Sequence, residues 1–232
     1  MKDDLAQRFI SLLTAAMEEN GYFPSVRSDM DVWADLFVRS GLPINPTFVR
    51  ASQGPCYWID VQKEGQTVAC IANRLFVTDD YLRLMRTGEM WGVTFDEPQV
   101  LVTPPEAPFI SGNVGHHGGV ARFPGCEQGW VAWALPRLAR AMSVNNWDAG
   151  FHAGNLFPAM LKSGIQHRGY GYAALYPNIE SDYFPPMQGP ATLYLTLISR
   201  AEMNEQLAAD VSFLETCATA DFIPAVQLKQ MG

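Results

Sequence analysis

The pattern of apolar and polar residues changes its period several times along the chain. Where apolar residues recur three and four positions apart, the pattern predicts amphipathic helices, and where they alternate it predicts half-buried strands. Glycines and prolines stand at many of the changes and mark the ends of elements. The predicted helices cover residues 3–20, 29–40, 78–87, 130–142, 155–163 and a long stretch from 199, and the predicted strands cover 58–62, 68–72, 100–102, 110–123, 148–153, 170–176 and 191–198.

Particular residues mark the ends of some of these elements. Ser28 is expected to cap the second helix. Ser199 and Glu202 have the spacing of a capping box and are expected to open the last long helix. Residues 177–190 are predicted to form a polar loop with interleaved aromatic side chains, and the tail from Asp221 is predicted to be irregular.

Residues 110–135 form the stretch around which the rest of the chain is organised. A predicted strand containing Gly118 and Gly119 ends at Pro124, and a glycine-bearing loop then leads into a helix. A glycine pair within a strand usually marks a bulge or a close approach of the backbone. Amides at the start of a helix are unpaired and lie at the positive end of the helix dipole, so they bind phosphate well. The stretch therefore predicts a strand, a loop and a helix that can hold an anion.

The segment PGCEQGWVAWAL within this stretch resembles the pyrophosphate-binding segment of the GNAT acyltransferases. In that family a strand runs into a loop of the pattern R/Q-x-x-G-x-G/A and then into a helix. Gln128 and Gly129 match the Arg/Gln-Gly step, whereas Val131 stands where the second glycine is expected. The order of predicted elements over roughly residues 20–200 also resembles this family.

The resemblance implies a fold and a function. The fold would be a single α/β (α+β) domain over residues 1–232, with a mixed, splayed central sheet flanked by helices and an N-terminal helical elaboration over about 1–42. The function would be acyl-CoA-dependent N-acyl transfer, in which an amine attacks acetyl-CoA or another acyl-CoA directly within a ternary complex and no metal takes part. The alternative is a GNAT-like binding or structural module without catalysis, because the second loop glycine and the family's usual tyrosine are both missing.

The resemblance also assigns residues to the coenzyme. The end of the central strand would pair with the pantetheine arm, and the backbone amides of the following loop would hold the pyrophosphate. A later asparagine matches the family's Asn-x-x-Ala segment. The predicted coenzyme-binding residues are Val120, Ala121, Arg122, Gln128, Gly129, Trp130, Val131 and Asn155.

Acyl transfer to an amine needs a base for the amine and an acid for the thiolate. His116 and His117 lie on the central strand and are candidate bases, because histidine titrates near neutral pH. Adjacent strand residues face opposite ways, so only one of them could face the cleft unless the bulge re-aims it. The family's usual tyrosine falls near Lys162. Tyr170 and Tyr172 are nearby substitutes, and Tyr170 is taken as the candidate acid. The alternative interpretation is a hydrogen-bonded strand histidine and a core tyrosine.

An acceptor pocket is predicted opposite the coenzyme. In the family it is walled by the early helices and by the loop between the last two strands. Aromatic residues occupy those segments, namely Tyr22, Phe23, Tyr183 and Phe184, and Asp182 adjoins them. Aromatic walls with one carboxylate would suit an apolar or aromatic amine, although these residues could instead pack against the core.

Composition and charge exclude several classes of protein. Hydrophobic residues make up 48% of the 232 residues, which excludes wholesale disorder, and a net charge of -8 without a basic block argues against nucleic acid as a partner. The N-terminus does not resemble a signal peptide, and the apolar runs are too short to span a bilayer, so we expect a cytoplasmic protein without a membrane partner. A small-molecule amine is the expected partner, and a homodimer is compatible with the sequence.

Two other kinds of site rank below the acyltransferase. A metal site could be drawn from His116, His117, His152 and Asp148, but their spacing fits no metal-binding motif. Cys126 together with a histidine could suggest a nucleophile, although such a pairing is common and unspecific.

Overall fold

The structure is a computed structural model that describes residues 4–43, 45–49, 54–95, 107–126, 129–162 and 164–231. Helices and strands alternate along much of the chain. The strands are β1 (Phe23–Arg27), β2 (Cys56–Lys63), β3 (Gln66–Thr78), β4 (Gly112–Arg122), β5 (Phe151–Leu156), β6 (Ala174–Phe184) and β7 (Gly189–Ser199). The helices are α1 (Asp4–Glu19), α2 (Met30–Arg39), α3 (Pro46–Val49), α4 (Tyr81–Thr87), α5 (Val131–Trp147), α6 (Pro158–Leu161), α7 (Ile165–Arg168), α8 (Arg200–Thr216) and α9 (Phe222–Met231).

All seven strands belong to one sheet, in the order β1-β2-β3-β4-β5-β7-β6. Neighbouring strands are antiparallel except β4 and β5, which are parallel and are joined by helix α5 as a crossover. The parallel pair in the middle makes the sheet mixed. The predicted fold class, a mixed sheet flanked by helices, is confirmed.

The two faces of the sheet carry separate hydrophobic cores, because side chains alternate along each strand. On β3, Ala69 and Ile71 join the core beneath α1, α5, α8 and α9, whereas Cys70 and Ala72 join the core beneath α2. A third core, on the same face as the α2 core, lies beneath α4 and the end of β7. The sheet is thus covered on both sides over most of its width. Within the described part of the chain, no helix has both the length and the apolarity that crossing a membrane would require.

The sheet splays open between its two central strands. β4 and β5 pair only from Val114 to His117 and from Phe151 to Gly154, and they separate beyond the last pair. On the other side of β4, Ala72 pairs with Gly118 and Cys70 pairs with Ala121, so β4 carries one extra residue in a β-bulge. The bulge and the splay that the sequence predicted are therefore present, and they coincide.

Glycine is required at the bulge for two reasons. Gly119 has φ +59, a conformation that side chains with a Cβ rarely adopt, and a Cβ there would lie 2.4 Å from the Trp33 ring. Trp33 is fully buried beneath the bulge, where it packs against Phe37 and Phe48. Helix α2 therefore supports the strand at the point where the sheet opens.

Several predicted boundaries differ from the structure. Asp29, not Ser28, occupies the N-cap of α2, and its carboxylate accepts hydrogen bonds from Arg27 and from Trp58 Nε1. β1 lies within the segment predicted to be a helical elaboration. It was not recognised because an edge strand that contains a proline and exposes Phe23 lacks clear alternation.

The C-terminal half also contains more regular structure than predicted. Residues 177–184 continue β6 instead of forming a loop, because β6 is an edge strand and leaves polar side chains in solvent. The tail from Asp221 forms α9 instead of irregular chain, since Phe222, Ile223 and Val226 join the main core. The capping box at Ser199 is confirmed. The predicted strand at 100–102 lies outside the described residues.

Candidate active site

A cavity of about 410 Å³ opens where β4 and β5 separate. Residues 117–122 of β4 form one edge of it and residues 155–157, at the end of β5, form the other. The rest of the wall comes from both faces of the sheet. These lining residues are Phe37, Leu42, Pro43, Asn45, Trp91, Met160, Tyr170, Phe184, Met187 and Leu193.

The two sides of the cavity differ in origin. Leu156 and Tyr170 belong to the core beneath α5, and Met160 packs against it. Phe37 belongs to the core beneath α2, and Trp91 and Phe184 belong to the core beneath α4. The cavity therefore connects the two faces of the sheet through the splay, and a molecule on one side can reach a molecule on the other.

His117 is the titratable side chain at the point of the splay. It is buried, its Nδ1 lies 3.0 Å from the Tyr172 hydroxyl, and that hydroxyl lies 3.2 Å from Nδ1 of His152. Burial, with the positive charge of nearby Arg140, lowers the pKa of His117 well below its ordinary value of 6.5. His117 is therefore neutral at neutral pH and has one nitrogen with a free lone pair.

The hydroxyl of Tyr172 can donate only one of these two hydrogen bonds. If it donates to His152, then His117 donates its Nδ1 proton to Tyr172 and keeps its lone pair on Nε2. This Nε2 atom lies 3.3 Å from the place that a Cβ on Gly154 would occupy, so a side chain on Gly154 would crowd it. In this arrangement His117 is the tautomer that can accept a proton at Nε2.

Tyr170 lies beside His117, with the two ring centroids 5.7 Å apart. It lines the cavity, and burial raises its pKa to about 12. The phenol is therefore protonated over the physiological range and can donate to an atom in the cavity. The structure brings together His117 and Tyr170, two of the three catalytic candidates.

His116, the third candidate, faces the other side of the sheet. Its Nδ1 lies 2.5 Å from the Tyr81 hydroxyl, and its ring packs near Phe48 and Phe76. It does not line the cavity, and burial together with Arg74 lowers its pKa to about 3. The alternation of β4 has therefore put one histidine into the site and the other into the opposite core, so the proposed role of His116 as the base is not supported.

Buried arginines fix the segment that carries Tyr170. Arg140, on α5, donates to the Tyr170 carbonyl at 2.9 Å and to Gln206 of α8. One turn earlier, Arg137 donates to the Gly169 carbonyl and forms an ion pair with Asp210 of α8 at 2.9 Å. Helix α8 thus holds the two arginines that contact the backbone beside Tyr170, the candidate acid.

The predicted coenzyme-binding residues fall into two groups. Val120, Ala121, Arg122 and Asn155 line the cavity along its two strand edges. Gln128 lies outside the described residues.

The residues at the start of α5 do not line the cavity. Trp130 and Val131 are buried in the main core, so only their backbone remains available to a ligand. Gly129 has φ +102, and its carbonyl accepts a hydrogen bond from Gln230 of α9 at 2.7 Å. A Cβ there would lie 3.0 Å from Gln227, so the structure itself disfavours a side chain at this position whether or not a phosphate binds.

Of the four aromatic residues predicted for the acceptor pocket, Phe184 lines the cavity and the other three lie elsewhere. Tyr22 is buried in the main core, with its ring centroid 4.7 Å from that of Trp130. Phe23 and Tyr183 are exposed on the two edge strands of the sheet, and neither they nor Asp182 line the cavity. Side chains alternate between the two faces along β6. At the end of this strand Tyr183 therefore points outward, and its neighbour Phe184 points inward.

Phe37 and Trp91 line the cavity although neither was predicted to do so. Phe37 is one of several apolar residues on α2, so its residue type did not distinguish it. Trp91 lies in a single helical turn between Gly88 and Gly92, both with positive φ, in the segment between β3 and β4. The sequence signal that could have indicated Trp91 is the pair of glycines that flank it after a short helix.

The other kinds of site gain no support from the described residues. These contain no group of three or more histidine, cysteine, aspartate or glutamate side chains that could hold a metal. Asp148 forms an exposed ion pair with Arg200 at 2.9 Å. Cys126 does not line the cavity.

Comparisons with known proteins give matches among solved structures. The sequence matches no family model, and no curated protein matches it significantly. The chain is similar to aminoglycoside acetyltransferase AAC(6')-Ib with coenzyme A and kanamycin, at 12% identity over 78% of this chain and 98% of that one, with a TM-score of 0.42. It is also similar to AAC(6')-Ib with paromomycin and acetyl-CoA, at 12% identity over 77% and 94%, with a TM-score of 0.41. Similarities at this level carry no conclusion about activity.

Proposed function

We propose that this protein transfers an acyl group, most simply acetyl, from an acyl-CoA to a small amine. The observation that carries the proposal is the splay. β4 and β5 pair over four residues and then separate around a cavity, so the facing edge of β4 from Gly118 onward is available to the amide-bearing arm of a coenzyme. Two other features near this edge resemble the GNAT acyltransferases. One is the bulge at Gly119, and the other is helix α5, which follows the strand.

The residues around the cavity support direct transfer. The nitrogen of the amine attacks the thioester carbonyl, the C–N bond forms, and the C–S bond breaks as the thiolate leaves. His117 Nε2 takes the proton that the nitrogen loses, and Tyr170 gives a proton to the thiolate sulfur. His117 is neutral in the resting protein, so it can accept a proton without first losing one. Tyr172 then holds the charged imidazole through its Nδ1 proton.

The proposal is tested by closing the splay. Val120 lines the cavity on β4, and replacing it with tryptophan should fill the space between the strands. We expect Val120→Trp to abolish acetyl-CoA binding measured by titration calorimetry, and to abolish release of free CoA in the presence of an amine panel. Val77→Trp is the matched control, because Val77 is 74% exposed at the far end of β3. Wild-type affinity in a folded Val120→Trp variant would refute the assignment of the splay.

The two functions left open by the sequence differ in one measurement. An enzyme binds acetyl-CoA and releases CoA when an amine is present. A binding module would be stabilised by acetyl-CoA, by about 2.7 kcal/mol at a hundred times Kd, without turnover on any amine. The presence of a neutral histidine and a protonated tyrosine at the same cavity favours the enzyme.

A further inference from the structure

The acceptor side of the cavity has an unusual balance of apolar and charged groups. This side comprises the lining residues on the face opposite α5. Aromatic and aliphatic side chains make up most of it, and they come from α2 and the residues just after it, from the turn before Gly92 and from the β6–β7 hairpin. These apolar residues are Phe37, Leu42, Pro43, Trp91, Phe184, Met187 and Leu193.

The aromatic part of this wall is rigid. Trp91 and Phe184 pack edge to face with ring centroids 4.8 Å apart, and Phe95 lies against both, at 6.0 Å and 5.9 Å. Trp91 and Phe184 are buried, so their faces toward the cavity are held by packing on the other sides. A preformed aromatic surface of this kind binds the apolar body of a ligand by excluding water.

The polar groups on the cavity are few. Among the described lining residues, Arg122 is the charged one, and it lies at the coenzyme end of β4. Asn45, Asn155, His117 and Tyr170 are the neutral polar groups. A buried ammonium is costly unless a partner neutralises it, so this set of groups suits one uncharged amine nitrogen at His117 and disfavours further ammonium groups along the wall.

From this balance we infer that the acceptor is a monoamine with an apolar, preferably aromatic, body, and that polycationic amines are excluded. The inference rests on the proposed function, since it names the acceptor of the same site. It places the amine nitrogen at His117 Nε2 and the apolar body against Trp91 and Phe184. The inferred acceptor thus differs from kanamycin, the polyamine bound in one of the similar solved structures.

The test is a substrate panel read by release of free CoA from acetyl-CoA. Phenethylamine and hexylamine represent apolar monoamines, and kanamycin and spermidine represent polycations. We expect kcat/KM for phenethylamine to exceed that for either polycation by at least 100-fold. Phe184→Ala should lower kcat/KM for phenethylamine by about 10-fold and leave the KM for acetyl-CoA unchanged.

A charge introduced at the rim provides a second, independent test. Met187 lines the cavity and is 43% exposed, so Met187→Glu should fold and should raise kcat/KM for spermidine by at least 10-fold. Tyr183→Glu adds the same charge nearby on a side chain that does not line the cavity, and it should leave the preference unchanged.

The outcomes separate the inference from the proposed function. If the protein does not bind acetyl-CoA in a calorimetric titration, the proposed function fails and the inference fails with it. If acetyl-CoA binds but turnover favours the polycations, the inference alone is overturned. If acetyl-CoA binds and no amine of the panel is turned over, the inference is overturned and the result favours the binding module over the transferase. An equal response of Met187→Glu and Tyr183→Glu to spermidine would also overturn it.

Discussion

Three of the four histidines in the chain are buried, and this makes a quantitative prediction about acid stability. His116, His117 and His152 are all at or below 3% exposure, and burial lowers the pKa of each well below 6.5. The positive charges nearby act in the same direction, Arg74 on His116 and Arg140 on the other two. In the unfolded chain these groups would titrate at about 6.5.

The sign follows from which state takes up protons first. As the pH falls through about 6.5, the unfolded chain binds protons that the folded chain refuses, so the free energy of unfolding decreases. At pH 5 each buried histidine should cost roughly 2 kcal/mol relative to pH 7.5, and three should cost roughly 6 kcal/mol. Because a whole domain is usually stable by about 5–15 kcal/mol, we expect the protein to be close to unfolding near pH 5, above the range in which ordinary carboxylates titrate.

The assay is urea unfolding followed by tryptophan fluorescence at pH 7.5, 6 and 5. His116→Gln should remove about a third of the loss between pH 7.5 and pH 5, since glutamine can still bond the Tyr81 hydroxyl and carries no titratable group. His167→Gln is the matched control, because His167 is exposed. A wild-type free energy of unfolding that stays constant within about 1 kcal/mol over this range would refute the reasoning, as would an equal effect of the two variants.

Three further predictions concern the site and its support. Tyr172→Phe removes the acceptor of the His117 Nδ1 proton and should lower kcat by about 10- to 100-fold with little change in KM for acetyl-CoA, a split that steady-state kinetics would detect. Gly154→Ala places a methyl group 3.3 Å from His117 Nε2, from the His117 carbonyl oxygen and from Thr196 Oγ1, so it should lower both kcat/KM and the thermal midpoint; an unchanged kcat/KM would contradict it. Asp210→Asn leaves Arg137 buried without its carboxylate and should cost about 3–5 kcal/mol in urea unfolding, whereas a change below 1 kcal/mol would show that the pair does not matter.

Local patterns in the sequence were enough to predict the central unit. The glycine pair at 118–119 correctly indicated a bulge, and period-two alternation correctly indicated that only one of His116 and His117 faces the site. These features depend on neighbours within a few residues. An ordinary histidine base would make the activity rise with pH near 6.5. We do not expect that rise, because burial lowers the pKa of His117 well below this value. The burial depends on Tyr172 and on α5, which lie far from His117 along the chain, so local patterns do not predict it.

The walls of the cavity could not be predicted in the same way. Trp91, Phe184 and Phe37 come from three separate segments, and their meeting depends on how those segments pack across the sheet. At the end of β6 the strand register alone decides that Phe184 is buried and Tyr183 is exposed, and a shift of one residue would reverse them. The sequence carried the residue types of an aromatic pocket but not the register that selects its members.

The packing of the first helix against the last ones has a consequence for the timing of folding. α1 lies against α8, Arg8 reaches Glu215, and the Asn20 side chain donates to the Thr219 carbonyl at 2.7 Å. While a ribosome is still making the middle of the chain, the apolar stripe of α1 has no α8 to cover it. Contacts between residues about 200 positions apart form late, and chains with exposed apolar surface in the interim rely on chaperones. We therefore expect the nascent chain to associate with chaperones until α8 has emerged, and then to fold as a unit.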